Sequence, residues 1–308
     1  MNFNSQRNAY GETLVELGKE NKDIVVLEAD LGKSTMSIKF QQAYPERFFE
    51  MGIAEQNMAS VAAGLARCDK IPFISTFAIF ASGRAFDQIR QTISIGKLNV
   101  KICGSSSGLS DFGDGATHQD IEDMAIMRAI PNMTVLCPID GNEAANAVKA
   151  MAEHDGPCYL RVNRAAYGSI TPEDKPFVIG QPTVLREGSD VVVFACGIMA
   201  LKALEAAEAL KDEISVKVVN VSTIKPLNDE MIISLAKGCK GVVTAEEHSV
   251  IGGLGSAIAE ALRRQCLPIE FVGVQDKFGC SAHNYDELLN AYGLTVEHIV
   301  SAVRSIVG

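Results

Sequence analysis

Two α/β domains of unequal size, each a three-layer arrangement on a mostly parallel sheet, are what the sequence predicts. Three observations predict them. Near-continuous apolar runs rich in Val and Ile recur along the chain, as in DIVVLEA and DVVVFACG. Longer amphipathic segments separate these runs, and such an alternation belongs to a parallel sheet covered by helices on both faces. From about residue 164 to 189 the text changes to a stretch with three prolines and no sustained period, which reads as a linker with a short strand or two.

Taken in order, the first half places strands at 23–29, 71–77, 99–105, 133–139 and 157–162, each a short apolar run. Helical periodicity fills the intervals at about 5–20, 54–67, 82–95, 119–129 and 141–153. Beyond the linker, strands are expected at 190–197, 215–222, 241–248 and 269–275, with helices at 198–212 and 228–237. GGLGSAIAEALRRQ opens another helix, and further helices close the chain. The GGLG run at 252–255 lacks the GxGxxG spacing of a dinucleotide fingerprint and reads as a tight turn into that helix. The expected division is a domain at 1–165, a linker at 166–188 and a domain at 189–308.

Composition narrows the function classes. A chain of 308 residues can bury one large or two medium cores. With 47% hydrophobic and 21% charged residues it is an ordinary globular sequence. A net charge of −10 argues against nucleic acid or an anionic membrane as the main partner, while leaving room for local basic sites for a small anion. No apolar run approaches the ~20 residues that span a bilayer, and the polar start has no signal-peptide core, so a cytoplasmic location is expected. The eight cysteines form no CxxC pair and several sit in strand-like runs, the pattern of reduced, buried thiols rather than of disulfides or zinc.

Three clusters carry candidate chemistry, and each follows a strand, where open α/β sheets bind ligands. In MGIAEQNMASVAAGLA, Glu55 is the one acidic side chain of a small and apolar stretch, at the opening turn of a helix. A carboxylate there complements the helix dipole. An apolar setting, for which Met51, Ile53 and Met58 are the candidates, also makes a carboxyl chemically useful. The Gly-rich loop SSSGLSDFGDGATHQDIED holds Asp114 and His118, and STFAIFASGRAF offers Phe77, Phe80 and Phe86. The GDG triplet at 113–115 is not read as a metal site, because the next Asn, Asn132, comes too soon and in a turn.

Together, RNAYGETLVELG, LEADLGKST, MGIAEQNM, DGATHQDIEDMAIMRAIPNMTVLCPIDGNE, YLRVNR and TAEEHSVIGGLGSAIAE resemble the transketolase family, specifically its C-terminal part, over nearly the whole chain. The resemblance implies a pyrimidine-binding domain followed by a transketolase C-terminal domain, as one subunit of a split enzyme that transfers a two-carbon ketol unit between sugar phosphates. It implies thiamine diphosphate as cofactor. An N-terminal partner subunit would hold the diphosphate and its Mg2+ or Ca2+, in an α2β2 assembly. Glu55 then meets the aminopyrimidine ring nitrogen and shares a proton there, with water excluded to strengthen the bond. Phe80 matches the aromatic that stacks on that ring, with Phe77 beside it. His118 matches a histidine at the reacting end of the donor sugar, and Asp114 a contact to the acceptor's C2 hydroxyl. Arg7, Ser34 and Arg164 match the sugar-phosphate binders.

Two departures from the family pattern bear on which sugar is used. A histidine usual before the DG loop is replaced by GSSSG, so Ser105 to Ser107 substitute or that phosphate contact is lost, and the usual proline of the loop is Ala116. The neighbouring readings are a 1-deoxyxylulose-5-phosphate synthase-like enzyme, a 2-oxoacid dehydrogenase β-type subunit, and a non-catalytic regulatory or scaffold subunit. The group Glu246, Glu247 and His248 in AEEHSVIGGLG is expected to be a strand end and turn that support assembly rather than a catalytic set.

Overall fold

The computed structural model describes residues 5–308. The chain opens with helix α1 (Gln6–Glu20), whose N-terminus is capped by the Ser5 hydroxyl. Strand β1 (Ile24–Glu28), helices α2 (Gly32–Thr35) and α3 (Ile38–Ala43), strand β2 (Phe48–Glu50) and helix α4 (Glu55–Ala66) follow. Next come β3 (Ile71–Phe77), a π-type turn at Phe80–Arg84, the short helix α5 (Phe86–Gln88) and a second π-type segment at Ile89–Ser94. Strand β4 (Lys101–Ser105), helix α6 (Asp123–Ala129), β5 (Thr134–Leu136), α7 (Gly141–Glu153) and β6 (Cys158–Arg161) complete this part. The later part runs β7 (Thr183–Arg186), β8 (Val191–Ala195), α8 (Ile198–Ala209), β9 (Val216–Asn220), β10 (Thr223–Lys225) and α9 (Asp229–Ala236). It ends with β11 (Gly241–Ser249), α10 (Leu254–Ala261), β12 (Ile269–Val274), α11 (Tyr285–Ala291) and α12 (Val296–Val307).

Among the described residues the strands form two sheets, seven-stranded in the order β10-β5-β6-β4-β3-β1-β2 and five-stranded in the order β12-β11-β8-β9-β7. Both are parallel apart from one edge strand each, β10 on β5 and β7 on β9. The central strands β1, β4 and β8 are buried at every position, as their unbroken apolar text demands. In the larger sheet, Leu14 of α1 and Val148 and Met151 of α7 cover one face, while Met58 and Ala62 of α4 with Ile89 and Ile93 cover the other. In the smaller sheet, α8 and α12 cover one face with Ala203 and Val303, and α9 and α10 lie opposite with Ile232 and Ile258. The two sheets with their helix layers are the α/β fold that the alternation predicts.

Several local expectations change. The single helix expected at 82–95 is broken into two π-type segments around α5. The helix expected from 119 begins only at Asp123, because residues 119–122 are held by a bridge between Gly108 and Asp120. The sequence reading passed over α2, α3 and β2, which are too short to show a period. It also passed over β10, which follows the smaller sheet's β9 yet pairs with β5 of the larger one. All eight cysteines are free, five of them buried.

Candidate active site

Five adjacent parallel strands, β6-β4-β3-β1-β2, end on one rim of the larger sheet, and the segments at that rim carry Ser34, Glu55, Phe77, Phe80, Asp114, His118 and Arg164. After β2, Gly52 takes φ +67°, a left-handed turn that swings the chain into α4. Met51 N–H donates to the Glu28 carbonyl and fixes where that turn starts. Glu55 is thereby the first residue of α4, only 1% exposed. Met58 is buried near it in sequence, but Ile53 is 76% exposed, so Ile53 does not supply the apolar shield expected of it.

Phe77 ends β3 and Phe80 begins the π-type turn, and their rings stack with centroids 6.0 Å apart. His118 presents its ring edge-on to both, at 6.1 Å from Phe77 and 5.5 Å from Phe80. Its Nδ1 lies 2.9 Å from the Thr117 hydroxyl. Arg84 closes the group, with its Nη1 3.3 Å from Glu55 Oε1 and its guanidinium over the Phe80 ring. Glu55, Phe77, Phe80 and His118 are therefore brought together. Asp114 lies exposed on the same loop as His118, in the turn before Gly115.

A second group gathers around Arg7 on α1. Arg7 donates to the Ser34 carbonyl at 3.0 Å, so it is the backbone of Ser34 that meets the guanidinium. Arg164, beyond β6, pairs with Asp111 at 2.5 Å. Burial, then the nearby charge of Arg164, lowers the pKa of Arg7, and Asp111 opposes the shift only in part. Two guanidinium groups close enough to feel each other's charge, with a single carboxylate paired to one of them, make a place suited to an anion. Ser105, Ser106 and Ser107 are buried, which closes their hydroxyls to an anion at the surface and favours loss of that phosphate contact over substitution by the serines.

Two buried carboxyls missed in the sequence hold these loops. Glu28, at the end of β1, accepts from the backbone of Ala29 and Leu31 and from the hydroxyls of Thr35 and Ser37, tying down the loop that carries Ser34. Burial raises its pKa to about 7 against those hydrogen bonds. Asp120 is bonded by the Ser82 hydroxyl at 2.5 Å and so links the Phe80 turn to the His118 loop. Burial, reinforced by the negative charge of Asp123, raises its pKa to about 8. The signal for both was an acidic residue in a strand or strand-like run; the sequence of Asp120 gave no hint of its partner in another loop.

The group Glu246, Glu247 and His248 lies in a seam between the two sheets and is closed to solvent. Glu246 accepts from the backbone N–H groups of Leu254 and Gly255, at the start of α10. Glu247 accepts from Leu109 N–H and Asn163, and its backbone carbonyl accepts from Arg161. Arg161 is itself held by Asp123 at 2.9 Å. His248 donates from Nδ1 to the Ser249 carbonyl and receives Ala125 N–H at Nε2. Every one of these polar groups is answered from within the protein.

A half-exposed aromatic ring, a buried carboxylate at its side and a histidine at its edge are met by the comparisons with known proteins. Residues 4–169 match the family model "Transketolase, pyrimidine binding domain" and residues 180–299 match "Transketolase, C-terminal domain". The chain belongs to the transketolase family. It is 45% identical to the putative transketolase C-terminal section of Methanocaldococcus jannaschii, across 98% of this chain and 96% of that protein. It is 42% identical to the 6-deoxy-6-sulfo-D-fructose transketolase subunit SqwH of Clostridium sp. strain MSTE9, across 97% and 94%. A solved structure described as a split gene transketolase, inactive beta4 tetramer, superposes with TM-score 0.91 at 50% identity, covering 98% of both chains. Against the full-length mouse transketolase, 98% of this transketolase chain corresponds to 49% of that protein. The rim just described therefore belongs to a transketolase pyrimidine-binding domain, and the family's cofactor is thiamine diphosphate.

Proposed function

We infer that this chain is the C-terminal subunit of a split transketolase that transfers a two-carbon ketol unit between sugar phosphates. The observation that carries the reading is that buried Glu55 and the Phe80 ring meet on the same group, the Arg84 guanidinium. A carboxylate kept from water beside an aromatic face fits an aminopyrimidine, which needs one acid partner at a ring nitrogen and one stacking surface. Thiamine diphosphate, when bound, supplies the electron sink for carbon–carbon cleavage. The residues of this chain supply position and proton management. Glu55 would hold a proton in common with the ring nitrogen, Phe80, backed by Phe77, would offer the ring its stacking face, and His118 would move protons at the substrate's reacting oxygens. Arg7 and Arg164, with the Ser34 backbone, bind the sugar phosphate, and exposed Asp114 meets the acceptor's hydroxyl.

The remaining half of the site falls to a partner, an N-terminal subunit with the diphosphate and a Mg2+ or Ca2+ ion, in an α2β2 complex. The inactive β4 description of the related structure supports this need for a partner. Within this chain, residues 1–165 form the pyrimidine-binding domain, 166–188 the linker and 189–308 the C-terminal domain. The names of the two relatives cited favour transketolase chemistry over a deoxyxylulose phosphate synthase; pentose phosphates as substrates and a cytoplasmic setting belong to the same proposal. No helix among the described residues is long and apolar enough to cross a membrane. The test mixes the purified chain with its thiamine-binding partner and follows transfer from xylulose 5-phosphate to ribose 5-phosphate. Transfer is expected only from the mixture; turnover by this chain alone would overturn the divided site.

A further inference from the structure

Arg84 has no part in the scheme above, yet it touches the two residues on which that scheme turns. Its Cζ lies 4.5 Å from the centroid of the Phe80 ring. Its Nη1 lies 3.3 and 3.4 Å from the two carboxylate oxygens of Glu55. A flat, delocalised group stacked on an aromatic face, with an N–H directed to a carboxylate, copies the contacts of an aminopyrimidine. One ring face and one buried carboxylate cannot serve both in the same geometry. We propose that Arg84 is a displaceable stand-in for the cofactor's pyrimidine ring, competing for Phe80 and Glu55 and swinging aside as the ring enters. The proposal rests on the cofactor reading of the preceding subsection.

Three features suit the residue to this role. Among the described residues Arg84 is the one ion-pair partner of Glu55, and a buried carboxylate without a partner is costly. The contact is nevertheless weak, because a single nitrogen is shared at long distance between both oxygens instead of a two-pronged fork. The Arg84 side chain is 48% exposed, so its charge reaches water without crossing the core. Arg84 thus satisfies Glu55 with an interaction that a better-fitting ring can take over.

The test is calorimetric titration of thiamine diphosphate with Mg2+ into the chain assembled with its partner. Arg84→Ala is expected to bind the cofactor roughly tenfold tighter than wild type, a decade corresponding to ~1.4 kcal/mol. Arg84→Lys, which keeps the charge but not the plane, is expected to fall between the two. Binding by Arg84→Ala equal to or weaker than wild type overturns the proposal, since a supporting residue would show that sign. Should Arg84→Ala fail to assemble, Arg84→Lys decides alone: tighter than wild type sustains the proposal, and equal or weaker binding overturns it. A wild-type assembly that takes up no thiamine diphosphate overturns the functional reading and this inference with it.

Discussion

Two polar regions of this chain are built from the same residue types with opposite outcomes. The rim of the larger sheet sets Glu55, His118 and Arg84 around an aromatic ring that is only half covered. The seam sets Glu246, Glu247, His248 and Arg161 in the interior, with partners supplied by backbone and neighbouring side chains. Acid, imidazole and guanidinium occur in both. The difference lies in what remains unmet. At the seam the protein satisfies its own charges and gains a fixed joint, whereas at the rim Glu55 is met only at long distance by a guanidinium that reaches water. A polar cluster is read as a ligand site from the weakness of its internal bonds, not from its composition.

Breaking the seam should have the largest effect. Arg161→Ala leaves Asp123 buried without its guanidinium partner, with the Tyr159 hydroxyl still donating to it, and is expected to remove about 3–5 kcal/mol of stability, measured by denaturant unfolding. At the rim, Glu55→Gln should act the other way round, cutting kcat of the assembled complex by about 10²-fold or more with little change in unfolding. Comparable losses of stability from both variants would erase the contrast. Arg164→Ala sharpens it further, because one charge-assisted contact to a phosphate is worth ~1.5–3 kcal/mol and its loss should appear in KM rather than kcat.

The gentlest test uses pH. Asp120 titrates at about 8 in the fold, against ~4 for an unfolded carboxyl, so between those values the native chain holds the extra proton. Its stabilising share is complete below the lower value and is lost as pH rises through about 8. Asp120→Asn should therefore flatten the fall of Tm from acid to mildly alkaline solution, and an unchanged slope would place the titration elsewhere.

Much of this was legible in the chain itself. Unbroken runs such as IPFISTF and DVVVFACG must be buried on both sides, so strands and sheet type follow from period alone. Glu55, Phe77, Phe80 and His118 were legible because each follows a strand of a parallel sheet, and such segments converge. Ile53, apolar and two residues before the carboxylate, does not shield it, because the left-handed turn at Gly52 precedes an Ile53 that stands exposed. Asp120 and Arg84 were illegible for another reason. Their partners, Ser82 and Glu55, lie 38 and 29 residues away, and no local period encodes a meeting of two loops.

The small strand β10 has a consequence for the gene as well as for the fold. Because Thr223–Lys225 completes the sheet to which residues from the far side of the linker belong, neither portion can be expressed alone with all its strands. A cut made in the proline-rich stretch would expose the outer edge of β5 and strand an orphan segment on the other fragment. Any division of this chain that keeps both sheets whole would have to leave these two portions on one reading frame.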